Sequence, residues 1–304
     1  ERGGEGSGVV VEMVSLYNGG RTSAYIFRRY THAKLVMAPE LQIGFYGGDP
    51  DNFTYPRYNL DFSLFRIYDD AGNPLKSDVY FPVDDDGLKD GDLVFIIGNP
   101  GSTSRLQTVA ELEFRRDVSD RYVVELLRSR MKVLDAFIRS HPEEAEARDL
   151  RNSYFGLSNS EKAYGGQVKG LEDPIVIARR KDTEKRFQAA LDAKPELKER
   201  YGALIVRLAE LQKTKRSQAA GFGAFLAMTS GDLESATLHR ALIAFQILSA
   251  RQGGAPAEAV AELVDGLKGV AQQHPELNRG LMAARFQDFV NRFGADADWV
   301  KGLL

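Results

Sequence analysis

The sequence predicts an α+β chain, with an antiparallel β part over residues 1–118 followed by a helical part over 119–304. Two observations carry this expectation. Of 29 glycines, 14 lie within the first 120 residues, in clusters that read as turns. Near residue 118 the apolar spacing also changes, from short alternating or β-branched runs to steps of three and four.

Residues 9–14, 24–27, 34–37 and 62–68 read as strands, as do 93–97 and 106–114. Asn18-Gly19-Gly20, Gly47-Gly48-Asp49-Pro50, Asp70-Ala71-Gly72-Asn73-Pro74 and Lys89-Asp90-Gly91-Asp92 mark the turns between them. Short strands joined in this way predict an antiparallel sheet or barrel rather than βαβ units. From Ser119 onward, Val123, Leu127, Met131, Leu134 and Ile138 fall on one helix face, with Ser119 as N-cap and Pro142 as the limit. Further helices are expected over 175–192, 196–218, 232–251, 256–272 and 276–292, separated at Pro195, Gly231, Gly253-Gly254-Ala255-Pro256 and His274-Pro275. Segment 152–172 holds Gly156, Gly165, Gly166 and Gly170 and is expected to be less regular, with a bend.

Composition excludes several classes. With 40 Lys+Arg against 43 Asp+Glu and a net charge of −3, the chain is no strongly basic nucleic-acid binder. Apolar runs such as Val94-Phe95-Ile96-Ile97 fall far short of the roughly 20 residues that span a bilayer. The absence of cysteine removes disulfides, a thiolate nucleophile and thiolate metal sites. Asp84-Asp85-Asp86 with Asp90 and Asp92 reads as a solvated hairpin rather than a metal site, and no phosphate-binding loop or dinucleotide fingerprint is present. Residue 1 is Glu, and no basic-then-apolar leader follows it. The chain therefore reads as a processed product, a trimmed chain or an internal fragment.

The informative stretch runs from Phe45-Tyr46-Gly47-Gly48-Asp49-Pro50-Asp51-Asn52-Phe53 through Pro56-Arg57 to Asp61-Phe62-Ser63-Leu64-Phe65-Arg66. Such a mixture fixes polar side chains on a stiff turn beside a sheet. An Asp entering a strand suits a buried carboxylate that accepts the Nδ1–H of a histidine during acyl transfer. By residue type alone, a strand-capping Asp beside a structural turn is the commoner reading.

This stretch, together with 29–40 and 98–105, resembles the S46 family of serine dipeptidyl peptidases, bacterial exopeptidases that release dipeptides from peptide N-termini. The resemblance covers essentially the whole chain. It implies a chymotrypsin-like antiparallel double β-barrel with a large α-helical cap, so that 1–118 would be a partial first barrel and 119–304 an incomplete cap. On the matching positions, it implies that Asp61 is the triad aspartate and that Asn52 binds the substrate's free α-amino group. Phe53 stands where many members carry Trp, which keeps an aromatic face for the ammonium without the indole N–H.

The family's other two triad members have no counterpart here. Neither its Asn-His-His motif nor its Gly-Asn-Ser-Gly turn occurs in the chain. His32, His141, His239 and His274 read as surface or packing histidines. Gly98-Asn99-Pro100-Gly101-Ser102 has Pro at the nucleophile position and reads as a structural turn. The resemblance further implies no metal or organic cofactor, peptides with a free N-terminus as partners, a homodimer, and a periplasmic or secreted location. The competing expectation is a non-catalytic β-plus-helical binding or scaffold protein.

Overall fold

The computed structural model describes residues 8–17, 19–44, 56–95, 105–230 and 233–302. The chain divides into two compact units, Glu1–Leu106 and Gln107–Leu304.

In the first unit β1 (Val9–Leu16) pairs antiparallel with β2 (Arg21–Arg28), Val9 opposite Arg28 and Leu16 opposite Arg21. Gly19 at φ +90° and a 3.1 Å bond from Gly20 N to Tyr17 O make the turn, a backbone shape that glycine adopts without steric cost. β3 (His32–Met37) pairs antiparallel with β4 (Leu64–Tyr68), His32 opposite Tyr68 and Met37 opposite Leu64. The chain therefore leaves this sheet at Met37 and returns at the residue paired with it. The described residues 38–44 and 56–63 lie between these two paired positions in the chain. A short helix, α1 (Leu41–Gly44), is tied back by Leu60 N donating to Ile43 O at 3.2 Å.

Among the described residues the strands form two separate two-stranded sheets and no closed barrel. Their faces carry exposed apolar side chains, among them Met13, Leu35 and Phe65. Leu93, Val94 and Phe95 belong to no strand, against expectation. No described segment pairs with them, and a lone extended run has no ladder to stabilise it. Ile96 and Ile97 lie outside the described residues.

The second unit opens with a correction. Residues 106–114 were expected as a strand, but α2 spans Val109–Phe114. Thr108 and Glu111 form a reciprocal capping box, and Glu184 accepts from Val109 N at 2.5 Å, so two orphan helix donors gain carboxylate partners. A π-helical turn, Arg115–Ser119, leads without a break into α3 (Asp120–Ser140). Ser119 is therefore not an N-cap: its backbone is helical and its hydroxyl donates to Asp120 Oδ1 at 3.2 Å.

After α4 (Pro142–Ala147), α5 (Leu150–Glu172) runs unbroken through its four glycines, where a bend was expected. Leu157 of α5 packs with Leu127, Leu134 and Phe137 of α3, and this tertiary burial outweighs the roughly 1 kcal/mol helix cost of each glycine. α6 (Pro174–Asp192), α7 (Pro195–Tyr201), α8 (Leu204–Ser217), α9 (Ala219–Ala224), α10 (Ala236–Gln252) and α11 (Ala257–Gly269) follow. α12 (Pro275–Phe293) then adds Leu277 and Leu281 to the same core, and α13 is Asp298–Lys301. Gly223 of α9 lies so close to Tyr122 of α3 that an added Cβ would sit 2.2 Å from the ring. No helix among the described residues is long and apolar enough to cross a membrane.

Asp117 ties the π-helical turn to α8, accepting from Arg116 Nε at 2.6 Å and from Arg216 Nη2 at 2.9 Å. The Arg116 hydrogen bond, helped by Arg216, holds its carboxyl below the ordinary carboxylate range. A depressed folded value stabilises the fold above the unfolded value, and this contribution is lost as pH falls through the folded one. With the side chain about a third exposed, the tie contributes less than about 1 kcal/mol. Asp117→Asn should therefore lower stability near neutral pH by up to that amount, and the loss should shrink as pH falls below the ordinary carboxylate range. Urea unfolding of both proteins at neutral pH and in acid measures the difference, and an equal loss at both would refute the carboxylate's role.

Candidate active site

Residues 38–63 carry the sequence motif, and the described ones among them form a shallow hollow. Gln42 and Ile43 of α1 face Arg57, Tyr58, Asn59 and Leu60 across a cavity of about 570 Å³. With the Asn59 side-chain amide turned so that its oxygen faces Arg57, the guanidinium donates to it through Nε and Nη2, both at 2.8 Å, a tie along this rim. Phe62 N donates to Leu60 O at 3.1 Å, so the chain turns sharply just around Asp61.

Asp61 lies three residues before β4, not at its first position, and it is exposed rather than buried. Among the described residues its carboxylate accepts no hydrogen bond. Asn52 and Phe53 lie outside the described residues, as does Ser102. The motif assigns no role to Arg57 or Asn59, and the structure makes them the hollow's polar rim. Their signal was the Pro56-Arg57 step, where proline stiffens the entry and the guanidinium reaches an amide two residues on.

The four histidines fall elsewhere. His32 opens β3, exposed, and His239 is half-buried on α10. His141 stacks on Phe137 with centroids 4.5 Å apart, and His274 lies 4.8 Å from His141. Ser140 Oγ sits 2.9 Å from His141 Nδ1, and Glu276 Oε2 lies 3.5 Å from its Nε2. The trio has the composition of a triad but not its chemistry. The Ser140 hydroxyl donates into its own helix, to Ala136 O at 2.9 Å and Phe137 O at 3.2 Å, which occupies its proton. The cluster closes the C-terminus of α3, where cationic and donor groups meet the last carbonyls.

Several known proteins resemble this chain. An Asp/Glu-specific dipeptidyl-peptidase of Capnocytophaga gingivalis is 29% identical over 209 residues, covering 66% of this chain and 29% of the relative. Dipeptidyl-peptidase 7 of Porphyromonas endodontalis is 32% identical over 215 residues, 66% of this chain and 25% of the relative. The chain thus spans less than a third of the length of either relative. Among solved structures, Porphyromonas endodontalis DPP11 in complex with the dipeptide Arg-Glu has the same fold, at a TM-score of 0.66 and 20% identity, over 95% of this chain and 43% of that one. The sequence profile of Peptidase S46 matches residues 2–304. A match of that extent, joined to the motif leading into Asp61, makes this chain a member of the peptidase S46 family.

Proposed function

We propose that this chain supplies the triad aspartate and the amino-terminus anchor of a serine dipeptidyl aminopeptidase. The observation that carries the proposal is the family match across 2–304, joined to relatives that are dipeptidyl-peptidases by name. It favours this reading over a non-catalytic scaffold. In the proposed architecture, the strands of the first unit belong to a chymotrypsin-like barrel and the helices of the second to a cap. The whole protein is proposed to work on peptides with a free N-terminus, as a homodimer, in the periplasm or outside the cell.

The chemistry assigned to these residues is specific. Asp61 accepts the Nδ1–H of the histidine base, selecting its tautomer, and stabilises the imidazolium formed as serine attacks the scissile carbonyl. The imidazolium gives its proton to the departing amine of the shortened peptide as the C–N bond breaks. Water, deprotonated by the freed base, then attacks the acyl-enzyme to release the dipeptide and restore the serine hydroxyl. Asn52 accepts an N–H of the substrate's α-ammonium through its side-chain oxygen, and Phe53 offers its ring face to the same charge. An anchor at a fixed distance from the nucleophile acts as a ruler and explains release of two residues.

Two measurements test this reading. The 304-residue chain alone should show no steady turnover of a dipeptidyl-naphthylamide, because triad loss removes several orders of magnitude in rate. Turnover abolished by Ser102→Ala would overturn that expectation. In an active enzyme that contains this chain, Asn52→Ala should lower kcat/KM roughly 10- to 200-fold, for a lost hydrogen bond to a charged group. The mutant should also discriminate less between free and N-acetylated termini. An unchanged free-to-acetylated ratio would place the anchor elsewhere.

A further inference from the structure

Helix α10 is apolar on two opposite sides. Ile243 and Ile247, four apart, are buried. Ala241, Phe245 and Leu248, spaced by four and three, fall on the opposite face and are exposed, Phe245 at 66% and Leu248 at 57%. Residues 241–250 include no charged side chain. The solvent side of a surface helix ordinarily carries charged and polar residues, and a helix apolar on both sides is one that is covered on both.

The neighbouring helix widens this face. α11 packs on α10, and Arg240 Nη2 donates to Val270 O at 2.8 Å, so the C-terminal end of α11 lies beside the first half of α10. Val260, Leu263, Val264 and Leu267 form one stripe along α11, yet each is only half-buried and no residue of α11 is fully buried. Two antiparallel helices of 17 and 13 residues make a face about 20–25 Å long and about 20 Å wide. Packed on its own copy, such a face covers about 900 Å² before side-chain relief is counted, close to the roughly 1,000 Å² that a specific interface needs.

We infer that a second copy of the chain covers this hairpin face, α10 crossing α10 antiparallel about a two-fold axis near Phe245. The inference rests on the homodimer proposed above and gives it a surface. Two features single out a second copy. Around a two-fold axis each side chain meets its own equivalent, so a charge there would oppose its like, and α10 has none between Arg240 and Arg251. Charge also complements across the crossing. α10 carries those two cations and no acid, whereas α11 carries Glu258, Glu262 and Asp265 against Lys268. The antiparallel crossing brings Arg251 of one copy toward the C-terminal end of α11 in the other, where the helix dipole and the acidic surplus are opposite in sign to it.

Sedimentation equilibrium of the 304-residue chain tests the surface, and the absence of cysteine makes single-cysteine variants clean reporters. The chain should pass from monomer to dimer with Kd of about 1–10 μM, as suits an interface at the small end of the range. Phe245→Glu with Leu248→Glu should weaken the dimer at least about 100-fold, because four carboxylates would be buried together at the axis. Both positions are exposed, so the monomer keeps its fold. Phe245→Cys, near the axis, should give a disulfide-linked dimer on mild oxidation, whereas Phe187→Cys, exposed on α6, should not. A dimer that persists in the double-glutamate variant keeps a homodimer but overturns this surface. A chain that stays monomeric well above the micromolar range overturns both the surface and a homodimer of this chain. Linkage of equal extent at 245 and 187 overturns the two-fold contact.

Discussion

In an active enzyme that contains this chain, Asp61→Asn is expected to lower kcat about 10⁴-fold with little change in KM. The isosteric amide keeps size and shape but offers an N–H where the histidine needs an acceptor, so the imidazole adopts the wrong tautomer and its cationic form loses its counter-charge. Asp61 is exposed, and its carboxylate makes no hydrogen bond among the described residues. The same substitution should therefore move stability by less than about 0.5 kcal/mol. That separation makes the test sharp. A capping aspartate would lose stability and keep its rate, whereas a triad aspartate loses rate and keeps its stability. Single-turnover kinetics beside urea unfolding distinguishes the two, and activity within a few-fold of wild type would refute the assignment.

The second large effect concerns the helical unit. Arg285 and Glu234 are both 0% exposed, with Nε 2.6 Å from Oε2. Arg285 also donates to Ala224 O at 2.7 Å and Leu226 O at 2.9 Å, while Glu234 accepts from Ser235 N at 2.8 Å. Beside them, Arg130 donates to Asp288 at 2.7 Å and to Leu233 O at 2.8 Å. Burial pulls the Arg130 guanidinium below its ordinary pKa, against the opposing charge of Asp288. Two buried cations meet two carboxylates, so each charge is balanced only while all are present.

Between Ala224 and Glu234 the chain passes through Ala227 at φ +58°, a strained shape for a residue with a Cβ that this clamp can hold in place. Glu234→Ala should destabilise the chain by about 3–5 kcal/mol, because it strands a buried guanidinium. The double change Glu234→Met with Arg285→Met should cost less than Glu234→Ala, since no charge remains unpaired. Denaturant unfolding reads both. A single-mutant loss below about 1 kcal/mol would show that water reaches the site and solvates the exposed charge.

Several elements were legible from residues alone. β1 to β4 follow from alternation and β-branching bounded by Gly-rich turns, which are local signals. The helices after 119 follow from three-and-four spacing and from proline, which stops a helix by removing a donor. Where reading failed, long-range contacts had intervened. Residues 106–114 alternate like a strand, yet Thr108-x-x-Glu111 is a capping box, and Glu184, 75 positions away, completes it. The capping box was readable in advance and the Glu184 contact was not. The glycines of α5 signalled a bend, but burial against α3 outweighed their local cost.

The candidate site divides along the same line. The sequence by itself carried the motif whose resemblance implies the roles proposed for Asp61, Asn52 and Phe53, because that motif is a run of side chains at fixed spacing. Only the tertiary structure decided that Met37 and Leu64 pair, that Arg57 reaches Asn59, and that Asp61 faces solvent. It alone decided that the Arg285–Glu234 pair is buried. Pairing register and burial depend on which distant segments meet, and a run of polar residues looks the same from sequence whether solvent or a neighbouring helix covers it.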